Sequence, residues 1–251
     1  MAVIAVYSVK GGVGKTTLAA NLAWCSAQIA RRRTLLWDLD AAGGAAFLLG
    51  VDPGPAPPAR GLFSRERTPG ELIVSTPFPK LDLLPADDSL WALDAQFAAL
   101  GKKRRLARIG ASLGGRFPRI ILDCPPVLNQ VSAQVMRAAD VVIVPLPPSP
   151  LSTRAFELVA RAVRGAGKSH PPMLPVLSMV DRRRRLHLDA IAANPDWPVI
   201  PLASALEQCA VRRAPVGAFA PASPAAQDIA RLWSAIERKI AELEAARTGS
   251  R

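Results

Sequence analysis

The residues best suited to chemistry form a glycine-rich segment near the N-terminus, Lys10-Gly11-Gly12-Val13-Gly14-Lys15-Thr16-Thr17. Glycines let a backbone turn with positive φ, so that successive N–H groups can point at anionic oxygens. A lysine and a hydroxyl at the end of the segment supply a cation for terminal phosphates and an oxygen ligand for Mg²⁺. The segment therefore predicts a phosphate-binding loop for Mg-ATP.

Each position in this loop has an expected role. Lys15 would reach the β- and γ-phosphates, Thr16 would ligate Mg²⁺, and Thr17 would bond the α-phosphate. The generic loop has a glycine six residues before its lysine, but Val9 occupies that position here, and Lys10 adds a second lysine. The remaining positions would contribute backbone amides: Gly11, Gly12, Val13 and Gly14.

Three acidic residues follow apolar runs of strand length. Asp38 ends the run Thr34–Asp38, and Asp40 lies two residues after it. Asp123 ends the run Arg119–Asp123. Ligands of open α/β sheets bind at the carboxyl ends of the strands, so these acids are expected to share the phosphate site. We expect Asp123 to hold a Mg²⁺-bound water, Asp38 to support the metal site, and Asp40 to orient the attacking water. Each acid alone would fit a helix cap or a loop equally well.

Strands and helices alternate along the chain, which predicts an α/β fold with a mostly parallel twisted β-sheet and helices on both faces. The first strand, the loop, the first helix and the second strand make one βαβ unit. The predicted strands are Val3–Val9, Thr34–Asp38, Glu71–Ser75, Leu81–Leu84, Arg119–Asp123, Asp140–Pro145, Met173–Met179 and Val199–Ile200. The predicted helices are Thr16–Ala30, Asp87–Gly110, Ser152–Arg164, Asp181–Ala193 and Ala225–Ala246, with a loop at Asp52–Pro58.

Length and composition limit the class of protein. The 251 residues, half of them apolar, predict one domain over residues 1–246 and a flexible tail over 247–251. Cysteines at 25, 124 and 209 are too few and too scattered for a disulfide framework, which favours a reducing, cytoplasmic setting. No apolar stretch approaches the roughly 20 residues that span a bilayer. The net charge of +12 favours polyanionic partners, although arginines on solvated faces would give the same charge.

The segments around the candidate site resemble those of the ParA/MinD family of deviant-Walker ATPases. The resemblance rests on the loop at 10–17, on Leu35-Leu36-Trp37-Asp38-Leu39-Asp40, and on Ile120-Ile121-Leu122-Asp123-Cys124-Pro125-Pro126. It continues, less specifically, through Ala138–Pro145, Ser149-Pro150 and Ser178–Arg183.

The resemblance implies an ATP-sandwich homodimer. Lys10 would cross the interface to the partner's phosphates and stabilise transition-state charge as an arginine finger does. Asp181 or the neighbouring backbone would contact adenine. The family often has Asp-Pro-Gln-Gly after the second strand, whereas Asp40 is followed here by Ala41-Ala42-Gly43-Gly44.

Basic clusters indicate non-specific duplex DNA as a partner, bound through its phosphates. Two main clusters carry this prediction, and a third, Lys102-Lys103-Arg104-Arg105, is a weaker candidate. Any of these residues would also fit a solvated helix face. No helix-turn-helix precedes the first strand, so sequence reading is not expected. The main clusters are Arg182, Arg183, Arg184 and Arg185, and then Arg212 and Arg213.

The resemblance further implies a positioning function in the cytoplasm, on the nucleoid. An ATP-bound dimer would hold DNA until a ParB-like or cargo-adaptor protein stimulates hydrolysis, and the cargo would be a plasmid, a chromosome or a protein assembly. Two alternatives stay open: a MinD-like membrane-associated ATPase and a dethiobiotin-synthetase-like ligase. The mixed charges opposite the apolar stripe of the last helix favour packing on the domain over membrane binding.

Overall fold

The computed structural model describes residues 1–52, 62, 68–100, 104–165 and 170–248. Within them the strands form one eight-stranded sheet in the order β3-β4-β2-β5-β1-β6-β7-β8. All neighbours pair in parallel except β3, which is antiparallel to β4. The strands are β1 (Ala2–Val6), β2 (Thr34–Asp38), β3 (Val74–Ser75), β4 (Leu81–Leu84), β5 (Arg119–Asp123), β6 (Val141–Leu146), β7 (Met173–Val180) and β8 (Val199–Pro201).

Helices connect the strands and cover the sheet. A π-helical turn, Cys25–Ile29, extends the first helix, and a 3₁₀ helix, Asp88–Ala92, precedes the fourth. Numbered over the described residues, the helices are α1 (Lys15–Trp24), α2 (Gly44–Leu48), α3 (Pro69–Leu72), α4 (Leu93–Leu100), α5 (Arg105–Leu113), α6 (Gln130–Ala138), α7 (Pro150–Gly165), α8 (Arg185–Ala193), α9 (Ser204–Arg212), α10 (Val216–Phe219) and α11 (Pro224–Thr248).

Two apolar cores lie on the two faces of the sheet. One core joins side chains of α1, α2 and α11 to alternate residues of the central strands. The other joins α4, α5, α6 and α7 to the remaining residues of the same strands. Strands buried on both faces read as continuous apolar runs, which explains the sequence pattern. The predicted fold class, a mostly parallel sheet with helices on both faces, is confirmed.

Three of the predicted elements take a clearly different form in the structure. The predicted strand Glu71–Ser75 is α3 followed by a two-residue strand, because Pro69 favours the first turn of a helix. The predicted helix Asp87–Gly110 divides into the 3₁₀ helix, α4 and α5, with residues 101–103 outside the described part. The helix predicted from Asp181 begins only at Arg185, because the Asp181 carboxylate accepts from the Arg183 N–H and holds a turn.

Two further predictions concern the loop at Asp52–Pro58 and the tail at 247–251. Of the loop predicted at Asp52–Pro58, only Asp52 is described. Helix α11 continues to Thr248, past the expected start of the tail, and Arg247 forms an ion pair with Asp140. The division into one domain and a tail stays a prediction.

Candidate functional site

The glycine-rich loop joins β1 to α1 and has the backbone that phosphate binding requires. Gly12 and Gly14 have φ of 69° and 85°, which residues with a Cβ rarely adopt. No atom lies within 4 Å of the position that a Cβ would take on Gly11, Gly12 or Gly14. The loop therefore presents its amides to open space at the N-terminus of a ten-residue helix, where the helix dipole favours anions.

Lys15 lies beneath this loop with its ammonium group desolvated. The residue is only 7% exposed, and its Nζ donates to the Lys10 carbonyl over 3.3 Å. Burial lowers the pKa of Lys15, while the carboxylates of Asp123 and Asp40 act in the opposite direction. A cation held in this way interacts strongly with incoming phosphate oxygens, because little water screens it.

The sheet brings the predicted acids together. Strand β5 lies between β1 and β2, and in the strand register Asp123 pairs with both Val6 and Asp38. Asp38 and Asp123 are each 0% exposed. Because Val6 leads directly into the phosphate loop, both carboxylates end beside it, as the sequence predicts.

The two buried carboxylates differ in their partners. Asp38 accepts the N–H of Asp40 at Oδ1 and the N–H of Ala45 at Oδ2, over 3.0 and 3.1 Å. Among the described residues, neither oxygen of Asp123 has a hydrogen-bond partner, and the Thr16 hydroxyl faces it without completing a bond of normal geometry. Asp123 is therefore the carboxylate with free ligand oxygens.

Burial controls the protonation of these acids. It raises the pKa of Asp123 to about 7, although Thr16 and Lys15 lower it. Burial together with the nearby Asp123 charge raises the pKa of Asp38 well above its usual range. A buried pair of this kind is costly unless a cation is present. Free carboxylate oxygens beside a hydroxyl and a lysine fit the oxygen ligands that Mg²⁺ prefers.

The residues after Asp40 that depart from the family pattern lie where the chain turns from β2 into α2. Asp38 fixes the Asp40 amide, and the Asp40 carboxylate accepts the N–H of Ala42 over 3.1 Å. Gly43 has φ of 67°, and a Cβ on Gly44 would lie 3.1 Å from the Thr16 methyl group. The two glycines thus let α2 approach Thr16 closely, a role that the sequence pattern alone did not indicate.

Lys10 is held away from the loop that it opens. Its Nζ donates to the Ser152 hydroxyl over 3.4 Å, and that hydroxyl is 2.9 Å from the Ser149 hydroxyl at the start of α7. The Lys10 side chain is partly exposed. It therefore lies at the surface of this chain rather than over its own glycine-rich loop.

An apolar cleft of about 600 Å³, including its open mouth, adjoins the loop at Val13, Gly14 and Thr17. Its far wall includes Ser178 and Met179 of β7, Leu202 and Ala203 after β8. The Ser178 hydroxyl is buried and, among the described residues, has no hydrogen-bond partner. A flat aromatic base with polar edges fits such a cleft. Ser178 and Met179 belong to the segment Ser178–Arg183 that resembles the family pattern, and its contact with a nucleotide base stays a prediction.

Asp181, predicted to contact adenine, lies outside the lining of this cleft. Its carboxylate accepts both the Nε and the Nη2 of Arg183, and its backbone N–H donates to His187 Nδ1. The guanidinium of Arg183 holds the pKa of Asp181 near 2. In the described structure this acid organises the turn before α8.

The arginines predicted to contact DNA divide into paired and unpaired groups. Arg183 and Arg185 form ion pairs with Asp181 and Asp189. Among the described residues, no carboxylate lies within ion-pair distance of Arg182 or Arg184, and both are exposed.

The second predicted cluster is more tightly engaged. Arg213 binds Asp52 through both terminal nitrogens and lies over the Phe47 ring. Arg212 lies over the Phe219 ring at 5.0 Å. In the third cluster, Lys102 and Lys103 lie outside the described residues, and Arg105 is buried with its Nη2 on the Leu62 carbonyl.

Similarity to known proteins agrees with this geometry. A family model described as an AAA domain matches residues 1–174. The chromosome partitioning protein ParA of Caulobacter vibrioides is 32% identical over 194 residues, which cover 73% of this chain and 72% of that protein. The sporulation initiation inhibitor protein Soj of Bacillus subtilis is 28% identical over 195 residues, covering 75% and 77%.

Solved structures share the fold over nearly the whole chain. The ATP complex of a Cyanothece McdA variant has a TM-score of 0.81 at 21% identity, covering 96% of both chains. MinD from Pyrococcus horikoshii with Mg-ADP has a TM-score of 0.79 at 24% identity, covering 96% and 98%. Cobyrinic acid a,c-diamide synthase from Mycobacterium smegmatis with ADP and magnesium has a TM-score of 0.77 at 27% identity, covering 95% and 94%.

Proposed function

The chain belongs to the ParA/MinD family of P-loop ATPases, and on this premise we propose that it positions a cargo by changing its hold on DNA with ATP. Two ATP-bound copies form a sandwich dimer, the dimer binds duplex DNA through phosphates, and a partner protein stimulates hydrolysis. Separation of the dimer halves the number of phosphate contacts. DNA affinity depends steeply on that number, so the nucleotide state controls retention on DNA.

The observation that carries the nucleotide part of this proposal is the unpaired carboxylate of Asp123. A fully buried acid without a partner is expensive to maintain, and such groups concentrate at functional sites. Its neighbours are the Thr16 hydroxyl and the Lys15 ammonium. This donor set supports magnesium-dependent nucleotide binding.

The residues have separable roles when Mg-ATP is bound. Lys15 and the loop amides hold the terminal phosphates, while Thr16 and Asp123 provide oxygens for the metal and its waters. Asp38 keeps the turn carrying Asp40 in place, and Asp40 orients the attacking water. Bound Mg²⁺ would supply charge neutralisation at the β- and γ-phosphates.

Lys10 supports a role in trans. Within its own chain its ammonium reaches Ser152, which lies outside the loop and the cleft beside it. A cation at the surface beside a phosphate site can insert into a second copy and stabilise charge there. We propose that release from Ser152 accompanies dimer formation.

Arg182 and Arg184 support the DNA part of the proposal better than their neighbours do. Both are exposed, and neither has an ion-pair partner among the described residues. They follow β7, whose carboxyl end lies on the nucleotide side of the sheet. Two copies joined through that side would therefore pool these arginines on one DNA-binding surface, and nucleoid association would follow.

The C-terminal helix weighs against a membrane-binding alternative. The apolar side chains of α11 are buried in one of the two cores: Ile229, Leu232, Trp233, Ile236 and Ile240. Release of that stripe to a membrane would expose the core. Among the described residues, no helix is both long and apolar enough to cross a bilayer.

A ligase function is the remaining alternative from another class, since an a,c-diamide synthase shares this fold. A ligase needs a second pocket with committed polar groups for its acid substrate. The described cleft beside the loop is lined almost entirely by apolar atoms, with Ser178 and Glu207 as its side-chain polar groups beyond the loop threonine. That lining supports a purine base rather than a second polar substrate.

DNA retention under different nucleotides tests the proposal directly. Wild-type protein is passed over immobilised duplexes of unrelated sequence with Mg-ATP, Mg-ADP or no nucleotide. We expect retention to be highest with Mg-ATP and similar for all sequences. Lys15→Ala should bind no ATP, whereas Asp40→Ala should bind ATP, stay on DNA and hydrolyse poorly.

Lys10→Ala separates nucleotide binding from dimer formation. This variant should bind ATP as the wild type does, yet remain monomeric by light scattering and lose the ATP-dependent gain in DNA retention. Equal retention with ATP and ADP in the wild type would refute the DNA switch. A dimer of undiminished strength in Lys10→Ala would refute the role of Lys10.

A further inference from the structure

A concentrated basic surface lies at the amino ends of the strands, on the opposite side of the sheet from the nucleotide site. We call Arg31, Arg32, Arg33, Lys80 and Arg116 the opposite-edge surface. Arg33 and Lys80 immediately precede β2 and β4, and Arg116 lies three residues before β5. These strands are neighbours, with Thr34 in register with Leu81 and with Arg119, so the fold itself gathers the cations.

Two of these arginines are fixed in place by shared contacts. Nη2 of Arg33 and Nη2 of Arg116 lie 3.0 and 3.4 Å from the same Asp82 oxygen. Their guanidinium carbons also lie 5.4 and 4.9 Å from the centre of the buried Phe117 ring. Each side chain nevertheless stays nearly half exposed, at 49% and 43%. Ordered, exposed guanidinium groups bind phosphates with little further loss of entropy.

The acids in this region do not neutralise it. Arg119 is buried and donates through Nε and Nη2 to both oxygens of Glu237, and Arg32 Nε lies 3.6 Å from the same carboxylate. Four cations, Arg32, Arg33, Arg116 and Arg119, thus share the two carboxylates of Asp82 and Glu237. Arg31 and Lys80 add two more positive charges to the same part of the described structure. The surface therefore carries a clear excess of positive charge.

Arg31 and Lys80 add backbone evidence for a functional surface. Their φ values of 54° and 63° lie in the left-handed region that favours glycine or asparagine. Lys80 Nζ donates to the Arg31 carbonyl over 3.2 Å, which places the two side by side. Among the described residues no carboxylate lies within ion-pair distance of either. Residues held in this region are uncommon and cluster at functional sites, and these two carry exposed cations.

We propose that the opposite-edge surface is a second binding site for the phosphates of duplex DNA. Several fixed guanidinium groups at the end of a rigid sheet suit the regular phosphates of a duplex, which need positioning but no base reading. Anionic membranes would require a continuous apolar face beside the cations. The large exposed apolar side chains near this surface in the described structure are Ile29, which precedes Arg31, and Met1, which lies beside Gly114. The charge pattern thus favours DNA over lipid.

The site has a consequence that distinguishes it from the arginines near the nucleotide. It lies at the far ends of the strands, so its contribution to DNA binding should be present without ATP. If the proposed sandwich dimer forms through the nucleotide side, two opposite-edge surfaces face outward. That arrangement, which rests on the proposed function, would let one dimer bridge two duplexes.

The test removes three charges while respecting the backbone. Asparagine tolerates the left-handed region, so Arg31→Asn and Lys80→Asn should fold, and Arg116→Gln leaves Arg33 on Asp82. The matched control removes three exposed arginines from helices α6, α7 and α11, as Arg137→Ala, Arg161→Ala and Arg231→Ala. Urea unfolding of both triple variants confirms that they are folded.

The readout is affinity for a labelled duplex, without nucleotide, between roughly 50 and 200 mM salt. Each lost phosphate contact reduces the log–log salt slope by about 0.9, so the first triple variant should lose about 2 to 3 in slope. The control should keep the wild-type slope to within about 1. A wild-type slope in the first variant, or an equal loss in the control, would overturn the second site.

Two further arms separate this inference from its alternatives and from the proposed function. Arg182→Ala with Arg184→Ala should remove the ATP-dependent gain, whereas the first triple variant should keep that gain and lose slope both with and without nucleotide. If ATP brings no gain in any protein but the first triple variant still loses slope, the second site stands and the proposed switch falls. Loss of binding to phosphatidylserine vesicles with unchanged DNA binding would assign the surface to lipid and refute it.

Discussion

Two buried carboxylates at opposite ends of the strands differ in whether they have a partner. At one edge, Asp82 is 7% exposed and has Arg33 and Arg116 as partners. At the other edge, Asp123 is 0% exposed and has no hydrogen-bond partner among the described residues. Both acids belong to the same sheet, with only β2 between their strands, so their difference reflects local surroundings and not the fold.

The protein pairs its buried charges at the amino ends of the strands and leaves a buried carboxyl without a partner at the carboxyl ends. The amino edge of the sheet pairs its buried ions, because an unpaired buried charge would cost several kcal/mol. At the carboxyl ends Asp123 has no hydrogen-bond partner among the described residues, and the desolvated Lys15 ammonium donates to the Lys10 carbonyl. We propose that both groups gain phosphate or metal partners when Mg-ATP binds.

The largest effect is expected where the paired edge is broken. Arg119→Ala would leave Glu237, four-fifths buried, without its two-pronged partner. Removal of one member of such a pair should lower the free energy of unfolding by roughly 3 to 5 kcal/mol, as measured by urea denaturation. Nucleotide affinity of the folded fraction should not change.

A double variant shows whether charge or packing causes that loss. Arg119→Met combined with Glu237→Leu removes both charges and keeps apolar volume, and such replacements are often neutral. We expect the double variant to recover most of the lost stability. If it is as unstable as Arg119→Ala, packing rather than an orphaned carboxylate explains the effect.

The next effect has opposite signs at the two edges. Without nucleotide, Asp123→Asn should raise the free energy of unfolding by roughly 2 to 3 kcal/mol at pH 7, because folding disfavours the ionised form of this buried carboxyl and the amide has no proton to lose. Asp82→Asn should lower it by about 1 kcal/mol, because two arginines lose their partner. Matching signs for the two substitutions would contradict the distinction between the edges.

The pH dependence follows from the raised pKa of Asp123. The folded protein holds this proton up to about pH 7, whereas the unfolded chain releases it near pH 4. Wild-type stability without nucleotide should therefore fall as pH rises from about 4 to about 7. The gain from Asp123→Asn should grow over the same interval and be small near pH 4. A constant difference across that range would show that Asp123 is not protonated in the folded state.

The fold was largely predictable because buried strands appear in the sequence as short continuous apolar runs. The strands β2, β4 and β5 have the predicted bounds, since each is an apolar run bordered by charged or turn-forming residues. Besides α3, four helices of the described structure, α2, α6, α9 and α10, were not predicted. Helix α6 begins with a capping box between Asn129 and Ser132, and that signal was present in the sequence.

The site was predictable where its residues follow parallel strands, and unpredictable where it depends on contacts between loops and helices. Asp38 and Asp123 come together because their strands are in register, and Thr16 reaches Asp123 from the helix that follows the neighbouring β1. The pairing of Arg213 with Asp52 and the approach of Gly44 to Thr16 depend on tertiary packing, for which local sequence carries no signal. Such contacts decide which arginines are free and how tightly the metal side of the site is packed.

A smaller effect tests that packing at the unpaired edge. Gly44→Ala places a methyl group 3.1 Å from the Thr16 methyl, so Thr16 must shift by a few tenths of an ångström. We expect affinity for Mg-ATP to fall roughly threefold to tenfold, as measured by calorimetry, with little change for ATP without magnesium. Gly115→Ala, which meets no atom within 4 Å and has no positive φ, is the matched control.

The smallest effect distinguishes free arginines from paired ones within a single turn. With Mg-ATP, Arg182→Ala should reduce the log–log salt slope of DNA binding by about 1 for each chain of the dimer. Arg183→Ala should leave the slope nearly unchanged, because Asp181 already occupies its guanidinium group through two hydrogen bonds. Asp181→Asn should then make the slope steeper, since it releases Arg183 to a phosphate. Equal slopes for Arg182→Ala and Arg183→Ala would mean that the ion pair opens on DNA, and that pairing in the free protein does not decide which cations bind.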